Sequence, residues 1–295
     1  MTSATNSAAD DAEAIPPFAE PGIPFARPIA CESVAPPPPP FSEFLLSNES
    51  RRSAWEDVGC LALFLLSFEL LASGLLHLAA EFVLGKPLSP LEKDALQIRQ
   101  AMLLPVISLR ALAAIVIIAL LARRRGQTAQ SVGLSWSGLP LNLTIGLGAL
   151  VVAYGLIAVT MQLLWFLWPD MPSEMVENAR RIMELVPKLG PLEFIPLTAI
   201  IGVYEELVFR GFLMTRLRRA TGGWTVAVMV SSAVFTALHA FDQTRAALVV
   251  VAILSLVFSL VTIWRRSIIP AIVAHALFDF SQLIFLYLQA GDSWT

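Results

Sequence analysis

The chain has 295 residues, of which 56% are hydrophobic and only 15% are charged. Because soluble domains carry a charge on about a quarter of their residues, this composition excludes an ordinary soluble domain and predicts a polytopic membrane protein. The net charge of −3 and the few basic residues between apolar runs argue against a nucleic-acid partner.

Residues 1–48 are rich in Ala, Pro, Ser and acidic side chains and include an unbroken proline run from Pro36 to Pro40. This composition favours polyproline II and cannot bury a core, so we predict a disordered tail. A ligand for a proline-binding partner is the alternative. No basic region followed by an apolar stretch opens the chain, so no cleaved signal peptide is expected.

Apolar runs long enough to cross a bilayer, which takes about 20 residues, follow the tail. The fold predicted for residues 49–295 is therefore all-α, a polytopic transmembrane helical bundle of about seven spans. The predicted spans are residues 55–84, 102–122, 139–168, 191–213, 224–240, 246–264 and 268–288.

Several residues inside these spans are interpreted as contacts between helices. Glu69, His77 and Glu81 in the first span are expected to join helices or to mark an interface. Arg110 in the second span is expected to face the bundle. In the third span, small residues would let a neighbouring helix approach closely; they are Gly146, Gly148 and Gly155.

Basic clusters at residues 51–52, 123–125, 216–219 and 265–266 fall on one side when the spans alternate in direction. The positive-inside rule makes that side cytoplasmic. We therefore predict an integral membrane protein, in the plasma (inner) membrane, with a cytoplasmic N-terminus. The C-terminus would lie outside, although a split or re-entrant helix would change both the count and this end.

Between residues 173 and 186, apolar and charged side chains recur on opposite faces at helical spacing. The apolar face holds Met175, Ala179, Ile182, Met183 and Val186. This pattern predicts an amphipathic helix lying on the membrane surface.

Three charged residues lie close together at the end of the fourth predicted span, where each costs roughly 2.5–3.5 kcal/mol to insert. Glu206 and Arg210 are four residues apart and share a helical face, whereas Glu205 points about 100° away. We predict that Glu206 pairs with Arg210, which leaves Glu205 free for chemistry.

The last apolar third of the chain adds two further polar groups. Phe235 and His239 are four residues apart, as are His275 and Asp279. One polar cavity would satisfy Glu205, His239 and the last pair at a lower cost than separate burials. A polar network that joins helices, or the proton relay of a transporter, is the alternative.

The ordered motifs, from Glu205-Glu206-x-x-x-Arg210 through Phe235-x-x-x-His239 to His275-x-x-x-Asp279, resemble those of the type II CAAX prenyl endopeptidase and bacteriocin-processing family. The resemblance covers about residues 130–288 and implies an α-helical intramembrane endopeptidase. It implies that Glu205 activates water and that His239 shares that water. His275 and Asp279 would orient the carbonyl and stabilise the oxyanion, with Glu206, Arg210 and Phe235 in support.

One position departs from the prenyl-protease branch, which has Asn where this chain has Asp279. An ionised Asp has no proton to donate, so Asp279 is expected to hold the tautomer of His275, which then becomes the oxyanion donor. No His-Glu-x-x-His, Gly-x-Ser-Gly or Gly-x-Gly-Asp motif supports another intramembrane protease plan.

Zinc bound by Glu205, His239 and His275 is the alternative to a metal-free glutamate mechanism, which we expect. The implied partners are membrane lipid and a peptide or protein substrate, lipidated or not. The alternative function is a non-catalytic membrane helper, an immunity-type scaffold or transporter that retains the polar cavity.

Overall fold

The computed structural model describes residues 50–84 and 93–291. Over these two ranges the chain forms nine α-helices and no strand. The helices are α1 Arg51–Leu84, α2 Lys93–Arg124, α3 Leu139–Leu167, α4 Met171–Leu185, α5 Pro191–Glu206, α6 Met214–Thr221, α7 Trp224–His239, α8 Arg245–Arg265 and α9 Ile269–Ala290. A 3₁₀ turn, Ala129–Val132, precedes α3, and a π-helical segment, Leu207–Leu213, joins α5 to α6. The predicted tail, residues 1–48, lies outside the described residues.

Within the described ranges, four helical segments are long and apolar enough to cross a membrane: Gln100–Arg124 in α2, and all of α3, α8 and α9. Helix α7 is apolar but has only 16 residues, about 24 Å. The predicted span at residues 191–213 consists of α5 and the π-helical segment. The all-α membrane bundle is thus confirmed, while the count of seven spans stays a prediction.

Helix α9 lies at the centre of the bundle, packed against α3, α5 and α8. Its first half presents small, fully buried residues, Ala271 and Ala274, to these neighbours. Glycines on the neighbours let the backbones meet. A Cβ on Gly202 of α5 would lie 3.2 Å from the Ala276 nitrogen, and one on Gly146 of α3 would lie 2.8 Å from the Pro270 carbonyl oxygen. Glycine therefore fixes the position of α9, which carries two of the predicted catalytic residues.

Two of the basic clusters predicted to share one side of the membrane contact one buried carboxylate. Asp57 of α1 lies 3.1 Å from Arg125, just after α2, and 3.4 Å from Arg216 of α6. At the end of α8, Arg265 donates to Asn142 of α3 over 3.2 Å. The predicted orientation in the membrane stays a prediction.

Helix packing at the three glycines of α3 differs from the expectation that all three serve as contacts. A Cβ on Gly146 would meet Pro270 and Val273, whereas one on Gly148 or Gly155 would meet nothing within 4 Å. Only Gly146 is therefore required for close approach.

We expect Gly146→Ala to destabilise the protein by about 1–3 kcal/mol, because the added methyl group overpacks the α3–α9 contact. Gly148→Ala is the matched control and should cause no loss, since its Cβ enters open space. Thermal unfolding of both variants in detergent micelles measures the difference. Equal losses for the two variants would contradict the assigned contact.

Candidate active site

A cavity of about 310 Å³ lies between α2, α4, α5, α7, α8 and α9. Aliphatic and aromatic side chains form most of its wall. All four residues predicted to be catalytic line it: Glu205, His239, His275 and Asp279. The folded bundle thus brings together groups that the sequence places on three different helices.

Glu206 and Arg210 form the predicted pair and are both 0% exposed. Glu206 Oε1 accepts a hydrogen bond from Arg210 Nη1 at 2.8 Å and another from His275 Nδ1 at 2.8 Å. Arg210 Nη2 donates to Ser255 Oγ at 2.9 Å and to the Ser255 carbonyl at 3.2 Å. This network joins α5, the π-helical segment, α8 and α9.

The π-helical segment begins immediately after Glu206, and every residue in it is buried. Such segments are rare and often occur at functional sites. A Cβ on Gly211 would lie 2.7 Å from the Val132 carbonyl oxygen, so glycine lets this segment pack against the 3₁₀ turn. The sequence predicted a regular α-helix here. Gly211, which follows Arg210, is the one residue of the motif whose type is consistent with an unusually close backbone contact.

Aromatic rings hold the charged groups in place. The Phe235 ring centroid lies 4.5 Å from the Arg210 guanidinium carbon and 4.5 Å from the His239 ring centroid. Phe258 stacks on His275 with ring centroids 5.4 Å apart. Sequence reasoning found Phe235 through its motif but missed Phe258 and Ser255, because both lie inside the apolar run of α8 and no motif marks them.

Glu205 lies beside this network but outside it. Its side chain is 17% exposed, and its Oε2 lies 3.7 Å from His275 Nε2 and 4.0 Å from His239 Nε2. Oε2 is buried and has no hydrogen-bond partner among the residues that the structure describes. These distances are too long for direct hydrogen bonds but allow one small molecule to contact both partners.

The tautomer of each histidine follows from its partner at Nδ1. His239 Nδ1 lies 2.9 Å from the Phe235 carbonyl, which only accepts, so Nδ1 carries the proton and a neutral ring presents an accepting Nε2. His275 Nδ1 donates to Glu206, and its Nε2 lies 3.5 Å from Asp279 Oδ2. Glu206 thus makes the contact with Nδ1, because the His275 ring turns its Nδ1 toward α5, and the role of Asp279 at Nε2 stays a prediction.

The zinc alternative used Glu205, His239 and His275 as ligands. Among the residues that the structure describes, no group of three or more His, Cys, Asp or Glu side chains is placed to hold a metal ion. The choice between a zinc ion and a metal-free mechanism stays a prediction.

Helix α4 forms one wall of the cavity, to which it contributes Met175, Asn178 and Ile182. Two of its polar side chains bind the start of α8. Glu174 Oε2 accepts from the Ala246 nitrogen at 3.1 Å, and Asn178 Oδ1 accepts from the Thr244 nitrogen at 3.0 Å. The predicted amphipathic helix exists, two residues earlier than expected at its start, and its inner face borders this cavity.

The charged side chains in the middle of α4 are partly exposed, and one of them, Arg181, also borders the cavity. Hydrogen bonds from Arg180 and Arg181 lower the pKa of the Glu177 carboxyl to about 2, from an ordinary value of 4.5. Glu177 therefore stays ionised throughout the physiological range, which keeps this part of α4 polar.

Removal of one partner from the buried pair tests its structural role. We expect Arg210→Met to cost about 3–5 kcal/mol, because Glu206 then stays buried without its guanidinium. The matched control is Arg181→Met, which breaks the exposed pair with Glu177 and should leave the melting temperature nearly unchanged.

Thermal unfolding in detergent measures both variants. The double variant Arg210→Met/Glu206→Gln should lose less stability than the sum of the losses of the two single variants, since no unpaired charge remains in it. If Arg210→Met were no worse than Arg181→Met, the pair would not support the site.

Comparison with known protein families adds one match. Residues 187–281 match the sequence model of a family described as type II CAAX prenyl endopeptidase Rce1-like. The matched range includes every site residue from Glu205 to Asp279. Comparisons with curated proteins and with solved structures found no match. The resemblance predicted from the three motifs is confirmed over residues 187–281, the part of the chain that is similar to type II CAAX prenyl endopeptidases.

Proposed function

We propose that this integral membrane protein is an endopeptidase that hydrolyses a peptide bond with a water molecule activated by Glu205. One observation carries the proposal. Glu205 Oε2 is a buried carboxylate oxygen without a hydrogen-bond partner in the described part of the chain, and two imidazole nitrogens lie within 4.0 Å of it at the wall of a cavity. The family match supports the same class of activity.

Water binds between Glu205 and His239 in this proposal. Glu205 Oε2 and the unprotonated Nε2 of His239 both accept, so one water molecule donates a hydrogen to each. One of the two lone pairs of the water then points into the cavity, toward the carbonyl carbon of a bound peptide. As the new C–O bond forms, Glu205 takes the proton of the water as general base.

His275 stabilises the charge that develops on the carbonyl oxygen. Because Nδ1 donates to Glu206, His275 offers a second N–H at Nε2 only as an imidazolium, with Asp279 beside that nitrogen. Such a donor supplies roughly 3–4 kcal/mol to a developing oxyanion. When the C–N bond breaks, Glu205 returns its proton to the leaving amine.

The substrate is a peptide or protein that reaches a largely apolar cavity within the bundle. The matched family is named for prenyl endopeptidases, so lipidated peptides are the first substrates to test. We also propose that the N-terminus lies in the cytoplasm, because the positive-inside rule favours that side for Arg125 and Arg216, which contact Asp57.

We expect Glu205→Gln and His239→Ala to lower kcat by at least about 100-fold, since general base catalysis contributes roughly 10²–10⁴-fold. The measurement is cleavage of a panel of lipidated and unlipidated peptides by purified protein in liposomes. Glu184→Gln, an equivalent change on the exposed face of α4, is the matched control and should keep wild-type activity. Each assay is repeated with a chelator.

The outcomes separate the alternatives. Wild-type rates in Glu205→Gln would disprove the proposed mechanism. Activity that a chelator abolishes and zinc restores would show that Glu205 acts with a metal ion. If the wild type cleaves no peptide, a Glu205→Gln variant that still performs the cellular role of the protein would favour the helper or transporter.

A further inference from the structure

Gln282 of α9 lines the cavity three residues beyond Asp279. Its side-chain amide belongs to a chain of hydrogen bonds that joins α9 to Tyr154 of α3. Ser281 Oγ donates to the Phe278 carbonyl at 2.7 Å, Tyr154 Oη contacts Ser281 Oγ, and Gln282 Nε2 donates to Tyr154 Oη at 3.4 Å. None of these groups belongs to the three motifs.

The row has only one consistent direction. A hydroxyl has a single proton, and Ser281 gives its proton to Phe278, so Ser281 must accept from Tyr154. Tyr154 then has no proton left for Gln282 and can only accept. If the Gln282 amide were flipped, its oxygen would face another acceptor. The Gln282 Oε1 therefore points away from Tyr154.

We propose that Gln282 positions the substrate by accepting a backbone N–H of the bound peptide at Oε1, and that Tyr154 holds Gln282 in place for this contact. The inference rests on the proposed endopeptidase function. The cavity wall is mainly apolar, and a peptide N–H buried there without an acceptor costs about 1–3 kcal/mol. A bound peptide therefore needs a hydrogen-bond acceptor from the wall.

Two other polar side chains of the cavity wall already have partners. Asn178 Oδ1 accepts from the Thr244 nitrogen, and the Thr198 hydroxyl donates to the Ile195 carbonyl at 3.4 Å. Gln282 differs from them because its hydrogen bond uses a donor and leaves its oxygen available.

The position of Gln282 indicates which peptide group it binds. His275 and Gln282 lie seven residues apart on α9, which corresponds to about 10.5 Å along the helix, and an extended peptide advances about 3.3–3.4 Å per residue. With the scissile carbonyl at His275, the N–H that reaches Gln282 lies about three residues away from the cleaved bond. Gln282 thus defines a subsite for the peptide backbone, which is insensitive to the substrate side chain.

The test is a double-mutant cycle of Tyr154→Phe and Gln282→Leu, read as kcat and KM for a fluorescent peptide that the wild type cleaves. We expect Gln282→Leu to raise KM by roughly 5- to 100-fold with kcat nearly unchanged, because the contact acts on binding. Tyr154→Phe retains the ring, whose centroid lies 5.3 Å from that of Phe278, and should raise KM less. In the Gln282→Leu background, Tyr154→Phe should have no further effect.

Gln243→Leu provides the matched control, because Gln243 also lines the cavity but lies in the α7–α8 loop. Its effect should simply add to that of Tyr154→Phe. Thermal unfolding of each variant shows that it is folded before its KM is compared. An unchanged KM in folded Gln282→Leu, or an undiminished Tyr154→Phe effect in that background, would overturn the proposal.

Binding of the same peptide to Glu205→Gln protein separates the two proposals. Peptide bound by Glu205→Gln and lost on adding Gln282→Leu supports the contact even if Glu205 is not the base. If cleavage requires Glu205 but Gln282→Leu does not change peptide binding, the proposed endopeptidase function stands and the proposed role of Gln282 is wrong. A wild type that neither binds nor cleaves any peptide of the panel removes both.

Discussion

The carboxylate of Glu206 is the group on which the rest of the site depends. It is fully buried, and it accepts hydrogen bonds from Arg210 in the next turn and from His275 on α9. A buried charge is tolerated only when it is paired and hydrogen-bonded, so these partners cannot move independently of α5. Arg210 extends the constraint to α8 through Ser255. One oxygen atom therefore sets the relative positions of three helices.

This constraint gives two adjacent glutamates different roles. Glu206 Oε1 bonds to Arg210 and His275, while Glu205, turned about 100° around the helix, lines the cavity. Among the described residues, Oε2 of each of the two carboxylates has no hydrogen-bond partner. The two histidines divide in the same way. The neutral carbonyl of Phe235 suits a neutral His239, whereas the carboxylate of Glu206 forms a charge-assisted bond when His275 is cationic. In the proposed mechanism, His239 is thus the accepting imidazole near Glu205 and His275 the donating one.

The sequence was sufficient for features that depend on one helix at a time. Four-residue spacing predicted the Glu206–Arg210 pair, and apolar periodicity predicted the amphipathic helix α4. The bond from Glu206 to His275 spans 69 positions of the chain and depends on how α5 and α9 pack, which helical spacing does not encode. The contact of Phe258 with His275 was not predicted for a related reason. The sequence does not distinguish an apolar residue of a membrane helix that faces lipid from one that faces a histidine.

Helix α4 is a second case in which the sequence predicted a helix but not the contacts that the helix makes. Its periodicity correctly divided a charged face from an apolar one, but an apolar face fits a lipid surface and a protein cavity equally well. The distinction lies in Glu174 and Asn178, which are four residues apart and bind backbone nitrogens at the start of α8. In the sequence these two look like ordinary polar residues of a surface helix. Bound to α8, they make α4 a wall of the cavity that holds Glu205.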